Sequence, residues 1–94
     1  MNGKELTRAV AKATGCHESM VDDILREVWS QIKEAVTRGE TVKLRNFGAF
    51  IRQVRKPKKA QNLRTNSVVE IPQMSVPKFK PSAEFKSMVN ENKI

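Results

Sequence analysis

Residues 41–69 constrain the fold of this chain more than any others, because they carry eight lysines and arginines and no acid. The eight are Lys43, Arg45, Arg52, Arg55, Lys56, Lys58, Lys59 and Arg64. Unpaired charge at that density cannot enter a core without a heavy desolvation cost. Elsewhere the charge nearly cancels, with 6 bases against 7 acids in residues 1–40 and 4 against 3 in residues 70–94, so the formal +8 of the chain belongs to this stretch. Between Pro57 and Ser67 almost nothing is apolar except Ala60 and Leu63, which leaves a segment that projects rather than packs. A cationic field so concentrated attracts a polyanion, and DNA or RNA is the commonest, since each neutralised phosphate releases condensed counterions.

What remains for a core is small. A 94-residue chain makes one domain at most and buries a modest share of its surface. With one Trp, four Phe and no Tyr, a monomer is short of apolar material, and dimerisation would supply it. A single cysteine, Cys16, excludes an internal disulfide. The start Met1-Asn2-Gly3-Lys4-Glu5 is polar, and charges interrupt every apolar run, so a soluble, cytoplasmic protein with no membrane partner is expected.

The helices come first. Asn2 and Glu5 have capping-box spacing, and Leu6, Ala9, Val10 and Ala13 follow at helical intervals. Gly15 ends that helix, and a second begins after His17 or Ser19. Met20, Ile24, Val28, Ile32 and Val36 form its stripe, flanked by Val21, Leu25 and Trp29, and Gly39 closes it. From Glu40 the period changes to two: Val42 and Leu44 take one side of a strand, Lys43 and Arg45 the other. Asn46-Phe47-Gly48 turns the chain into a second strand over residues 49–56, antiparallel to the first. Val68, Val69 and Ile71 bring the chain back, so residues 52–72 read as a two-stranded arm with its tip at residues 62–66. Pro57 removes an amide donor and belongs at an exposed edge. Ser82 caps a final helix over about residues 82–90 that carries Phe85, Met88 and Val89 on one side, and residues 90–94 are expected to fray.

This order of parts, with Asn46-Phe47-Gly48-Ala49-Phe50, Glu70-Ile71-Pro72 and Val76-Pro77-Lys78-Phe79-Lys80-Pro81 at matching spacing, resembles the HU/IHF family of bacterial histone-like DNA-bending proteins over about residues 1–90. The resemblance implies an α+β fold: an intertwined dimer with an N-terminal helical hairpin, an antiparallel sheet extended into a basic β-ribbon arm, and a short C-terminal helix. A single domain over residues 1–94 would then comprise a helical body (1–39), sheet and arm (40–76) and the last helix. The implied partners are double-stranded DNA, held in the minor groove and bent or condensed in the nucleoid, and a second copy in a homodimer, or a related chain in a heterodimer.

Arg55, Lys58, Lys59 and Asn62 match arm positions that in the family are basic or lead into the tip. Around them Arg45, Arg52, Lys56, Leu63, Arg64, Thr65, Lys78 and Lys80 complete the candidate DNA-binding set. Trp29, Phe47, Phe50 and Phe79 are the candidate dimer core. At the tip the family pattern Asn-Pro-x-Thr-Gly is replaced by Asn62-Leu63-Arg64-Thr65-Asn66. Leucine is also an apolar wedge, and asparagine tolerates the positive φ that glycine would supply. Gly3, Glu18 and Ala83 stand where many relatives have flanking lysines, and Gln53 and Gln61 replace frequent arm arginines, with Arg52, Lys56 and Arg64 beside them.

Other chemistry finds little support. Cys16 beside His17 lacks a third group for nucleophilic catalysis and reads as a buried or half-buried structural cysteine. One Cys and one His cannot make a zinc site, and no glycine-rich phosphate loop occurs, so neither an enzyme nor a cofactor or metal is expected. No aromatic interleaves the basic run, which argues against single-strand binding. Two further readings remain: a site-preferring bender that assembles a nucleoprotein complex, and a basic adaptor for an acidic protein.

Overall fold

The computed structural model describes residues 1–92 and divides into two compact units, residues 1–34 and residues 35 onward. The first unit holds α1 (Gly3–Thr14) and most of α2 (Glu18–Thr37). Asn2 caps α1, its side-chain oxygen accepting from the Glu5 amide at 2.9 Å. Gly15 ends α1 in the left-handed conformation, at φ 73°, and its amide donates to the Ala11 carbonyl. Asp22 and Arg26, one turn apart on α2, pair at 3.0 Å. Cys16 lies in the short link between the helices and is exposed there, which corrects the expectation of a buried cysteine. The three linking residues, Gly15, Cys16 and His17, are all exposed.

The second unit begins with the end of α2. Gly39, at φ 89°, donates to Val36, and the Glu40 amide reaches back to Ala35, so the helix stops in a glycine cap and the chain turns into β1 (Val42–Leu44). β1 pairs with β2 (Gly48–Arg55), and β2 with β5 (Met74–Pro81), giving an antiparallel sheet in the order β1-β2-β5. β2 thus starts and ends one residue before the expected strand, because Gly48 is already paired with Leu44. Beyond this sheet β3 (Lys58–Asn62) and β4 (Ser67–Ile71) form a separate two-stranded ribbon. The last helix, α3 (Ala83–Glu91), is capped by Ser82, whose hydroxyl accepts from the Phe85 amide at 3.1 Å. Residues 90 and 91 are helical rather than frayed, and residues 93–94 lie outside the described residues.

β5 was not expected. Its Pro77 and Pro81 resemble strand breakers, yet β5 is an edge strand, where a missing amide donor is tolerated. Its pairing with β2 over all eight residues changes the shape of the arm. Arg55 faces Met74 and, three residues on, Lys58 faces Ile71, so one register runs unbroken from the sheet into the ribbon. The ladder lapses over two positions, Lys56 opposite Gln73 and Pro57 opposite Pro72, where neither proline can donate. The excursion therefore runs from Gly48 to Pro81, longer than the 52–72 span the apolar pattern suggests.

The core is as thin as the composition implies. Among the described residues the buried ones are Thr7, Ala11, Val21, Ala35, Val36 and Gly48, and no side chain is fully buried. In the second unit four phenylalanines cluster: Phe50 and Phe79 at 4.9 Å between ring centres, Phe47 and Phe79 at 5.2 Å, and Phe47 stacked on Phe85 at 5.5 Å. Phe50 and Phe79 meet because they are register partners on one face of the sheet, joined there by Val42. Even so, Phe47 remains 43% exposed. Such a cluster is half a core.

Candidate nucleic-acid interface

Alternation sorts the cations of the sheet onto two faces. Lys78 and Lys80 stand opposite Ile51 and Ala49, on the face away from the phenylalanines, and Lys43, whose register partner is Ala49, joins them. Arg55, paired with Met74, continues the same face toward the arm. Lys43 was absent from the candidates. Its signal lay in the alternation of β1, where it is exposed between the half-buried Val42 and Leu44.

Arg52 is placed apart from that group. It shares the face of Phe50 and Phe79, opposite Pro77, and its guanidinium donates to the Thr37 carbonyl at 3.2 Å, at the end of α2. A cation there satisfies a terminal helix carbonyl and complements the helix dipole. It does not replace charge on the Gln53 face, because adjacent strand residues point to opposite sides.

On the ribbon, Lys58 shares a face with Ala60 and Asn62, while Lys59 and Gln61 occupy the other, with Glu70 directly across from Lys59. Lys56 lies in the break between β2 and β3, and Arg45 in the turn after β1; both are exposed. At the tip Asn66 adopts φ 57°, its amide donating to the Asn62 carbonyl at 2.7 Å, and the Asn62 side chain accepts from the Arg64 amide at 3.0 Å. Asn66 thus supplies the left-handed position that lets four residues close the ribbon. Leu63 stands at the crest, 90% exposed, with Arg64 and Thr65 after it.

Trp29 belongs to the first unit, where it lines a shallow groove of about 610 Å³ with Gly3, Thr7, Asp22 and Arg26 and is 39% exposed. Phe47, Phe50 and Phe79 lie together in the second unit. Among the described residues no three His, Cys, Asp or Glu side chains gather in a way that could hold a metal ion. Among the described residues no helix is long and apolar enough to cross a membrane.

A half-covered aromatic cluster joined to a long cationic ribbon with an apolar tip defines a class of protein: one whose body invites a second copy and whose arm invites a polyanion. Comparison with known proteins agrees. The bacterial DNA-binding protein family matches residues 1–90. DNA-binding protein HU of Thermotoga maritima is 40% identical over 91 residues, spanning 95% of this chain and 99% of that protein. Integration host factor subunit beta of Pseudoalteromonas atlantica is 33% identical over 95 residues, spanning 100% and 99%. An Anabaena HU–DNA cocrystal structure superposes with a TM-score of 0.88 at 36% identity, covering 95% of this chain and 97% of that one. The chain belongs to the HU/IHF family of bacterial DNA-binding proteins.

Proposed function

We propose that this chain is a non-enzymatic architectural protein which, as a homodimer, bends duplex DNA by laying two cationic ribbons in the minor groove, largely without sequence specificity. Its place of work is the nucleoid in the cytoplasm. The phenylalanine cluster is the seam: each copy covers the rings that the other leaves half exposed. Lys43, Lys78, Lys80 and Arg55 form the positive floor against which the duplex rests, and Lys58, Lys59 and Arg64 follow its phosphates along the arm, with Asn62 and Thr65 at the tip. Arg52 serves the end of α2 instead. Minor-groove binding with an inserted apolar wedge is the established behaviour of HU and IHF proteins, and the residues of this arm suit it.

The observation that carries the reading is Leu63, a branched apolar side chain 90% exposed at the crest of the ribbon, more exposed than Val68 (65%) and Val69 (46%) below it on β4. Its exposure stabilises nothing in the folded chain. Inserted between base pairs, it unstacks one step at a cost of a few kcal/mol, offset by the added contact that a bent duplex makes with the arms and floor. Phosphate contacts would supply most of the affinity and make it salt-dependent.

Gel-shift titration on linear, nicked and pre-bent duplexes of one sequence tests this. Tighter binding to the nicked and pre-bent forms is expected, because their deformation is already made. Equal retention on duplex DNA and on an unrelated polyanion such as heparin would instead identify a general basic adaptor.

A further inference from the structure

β2 has a strand on each side only as far as Phe50. Val42, the first residue of β1, pairs with Phe50, and past that pair the arm is a ribbon of β2 and β5 alone. Two strands twist more than a wider sheet and are marginally stable by themselves, so the direction of such a ribbon needs a second anchor. Arg52 is the next residue on the phenylalanine face, and its Nη1 donates to the Thr37 carbonyl at 3.2 Å. The end of α2 presents that carbonyl for it. The Gly39 amide donates to Val36 at 3.0 Å and the Glu40 amide to Ala35 at 2.9 Å, so the glycine cap closes on the two carbonyls that precede Thr37. On this face β2 reads Phe50, Arg52, Val54, and a cation there interrupts an apolar line. It stands away from Lys43, Lys78, Lys80 and Arg55, which share the other face, so the phosphates those residues meet do not account for it.

We infer that Arg52 is a positioning residue: its bond to the Thr37 carbonyl braces the base of the arm against the end of α2 and fixes the direction in which the ribbon carries Leu63 to the duplex, a role that rests on the bending proposed above. Leverage gives one bond this reach. Leu63 lies eleven residues beyond Arg52, roughly 35 Å along an extended strand. A rotation of about 10° at the base therefore moves the crest by about 6 Å, nearly two base steps at about 3.4 Å each. A wedge that wanders by two steps must be ordered at the moment of binding, whereas a braced arm arrives already aimed. The brace touches no DNA. Its loss should leave the phosphate contacts intact and weaken the bend.

Arg52→Met tests this, since methionine keeps an unbranched aliphatic stem and removes the guanidinium. Its circular dichroism should match the parent's, because Arg52 is exposed and water can take its place at the carbonyl. Cys16→Ser combined with Thr65→Cys leaves each full-length chain one thiol, at the arm tip, for a nitroxide label. Pulsed electron resonance then reads the distance between the two tips of a homodimer without DNA. Arg52→Met in that background should broaden the distance distribution by about 6 Å or more, the tip displacement worked out above. On a short duplex with a dye at each end, saturating Arg52→Met should bring the transfer down toward that of free DNA, while the log–log salt slope stays at the parent's value. A tip distribution as narrow in Arg52→Met as in the parent overturns the inference and leaves the architectural reading intact. So does a salt slope lower by about 1, which would make Arg52 a phosphate contact instead. A parent protein that raises no transfer at saturation overturns the bending reading itself, whatever the tip distances show.

Discussion

Phe47→Ala separates a shared core from a self-sufficient one by magnitude. The ring lies 5.2 Å from Phe79, 5.5 Å from Phe85 and 6.5 Å from Phe50, yet 43% of the residue is exposed in the single chain. Truncating a buried phenylalanine costs about 3 to 5 kcal/mol. With just over half of the side chain covered by its own chain, an isolated protomer should lose roughly 2 to 3 kcal/mol. If a second copy covers the remainder, the full cost applies at each of two symmetric sites, about 6 to 10 kcal/mol per dimer. Small domains have about 5 to 15 kcal/mol in total, so the variant should be largely unfolded at micromolar concentration. Urea unfolding followed by circular dichroism at two protein concentrations a hundredfold apart is the assay. The parent midpoint should rise with concentration, because association stabilises the folded form. A midpoint indifferent to concentration, with a folded monomeric variant only about 2 kcal/mol weaker, would refute the shared core.

Gly48→Ala would place a methyl carbon 2.5 Å from the Lys80 carbonyl oxygen and 2.7 Å from two Phe79 ring carbons, so the β2–β5 seam must open. Thermal melting should show a loss of about 1 to 3 kcal/mol, the usual cost of overpacking. Arg55→Ala and Lys58→Ala should each reduce the log–log salt slope of DNA binding by about 1 on any duplex sequence. Arg52→Ala should leave that slope unchanged and cost about 1 kcal/mol of stability or less through the lost bond to Thr37; a reduced slope would return Arg52 to the DNA contacts.

Helix ends and the arm tip were legible in the sequence because single residue types govern them. Asn2 and Ser82 cap their helices as their spacing implies, and Gly15, Gly39 and Asn66 take the positive φ that few other residues accept. β5 was less legible: Pro77 and Pro81 obscure a strand pattern, and only its edge position makes them tolerable. The faces of the candidate site were also hidden, since charge in a one-dimensional list has no side until register assigns one. Arg52 and Gln53 are neighbours in sequence, yet the pairing of Arg52 with Pro77 and of Gln53 with Val76 sets them on opposite surfaces. Cys16 shows the same limit for burial. A small apolar residue between two helices suggests a packed junction, whereas all three residues of the link, 15–17, are exposed.

The central claim, that the arms bend a duplex by inserting Leu63, is tested most directly by fluorescence transfer between dyes at the two ends of a short linear duplex. At saturating protein the transfer should rise sharply as the ends approach. Leu63→Ala should bind with the same salt slope, because the cations are untouched, but lose most of that rise and the preference for nicked or pre-bent DNA. A Leu63→Ala variant that brings the ends together as closely as the parent would contradict insertion at this residue, and saturating parent protein that leaves the transfer unchanged would contradict bending altogether.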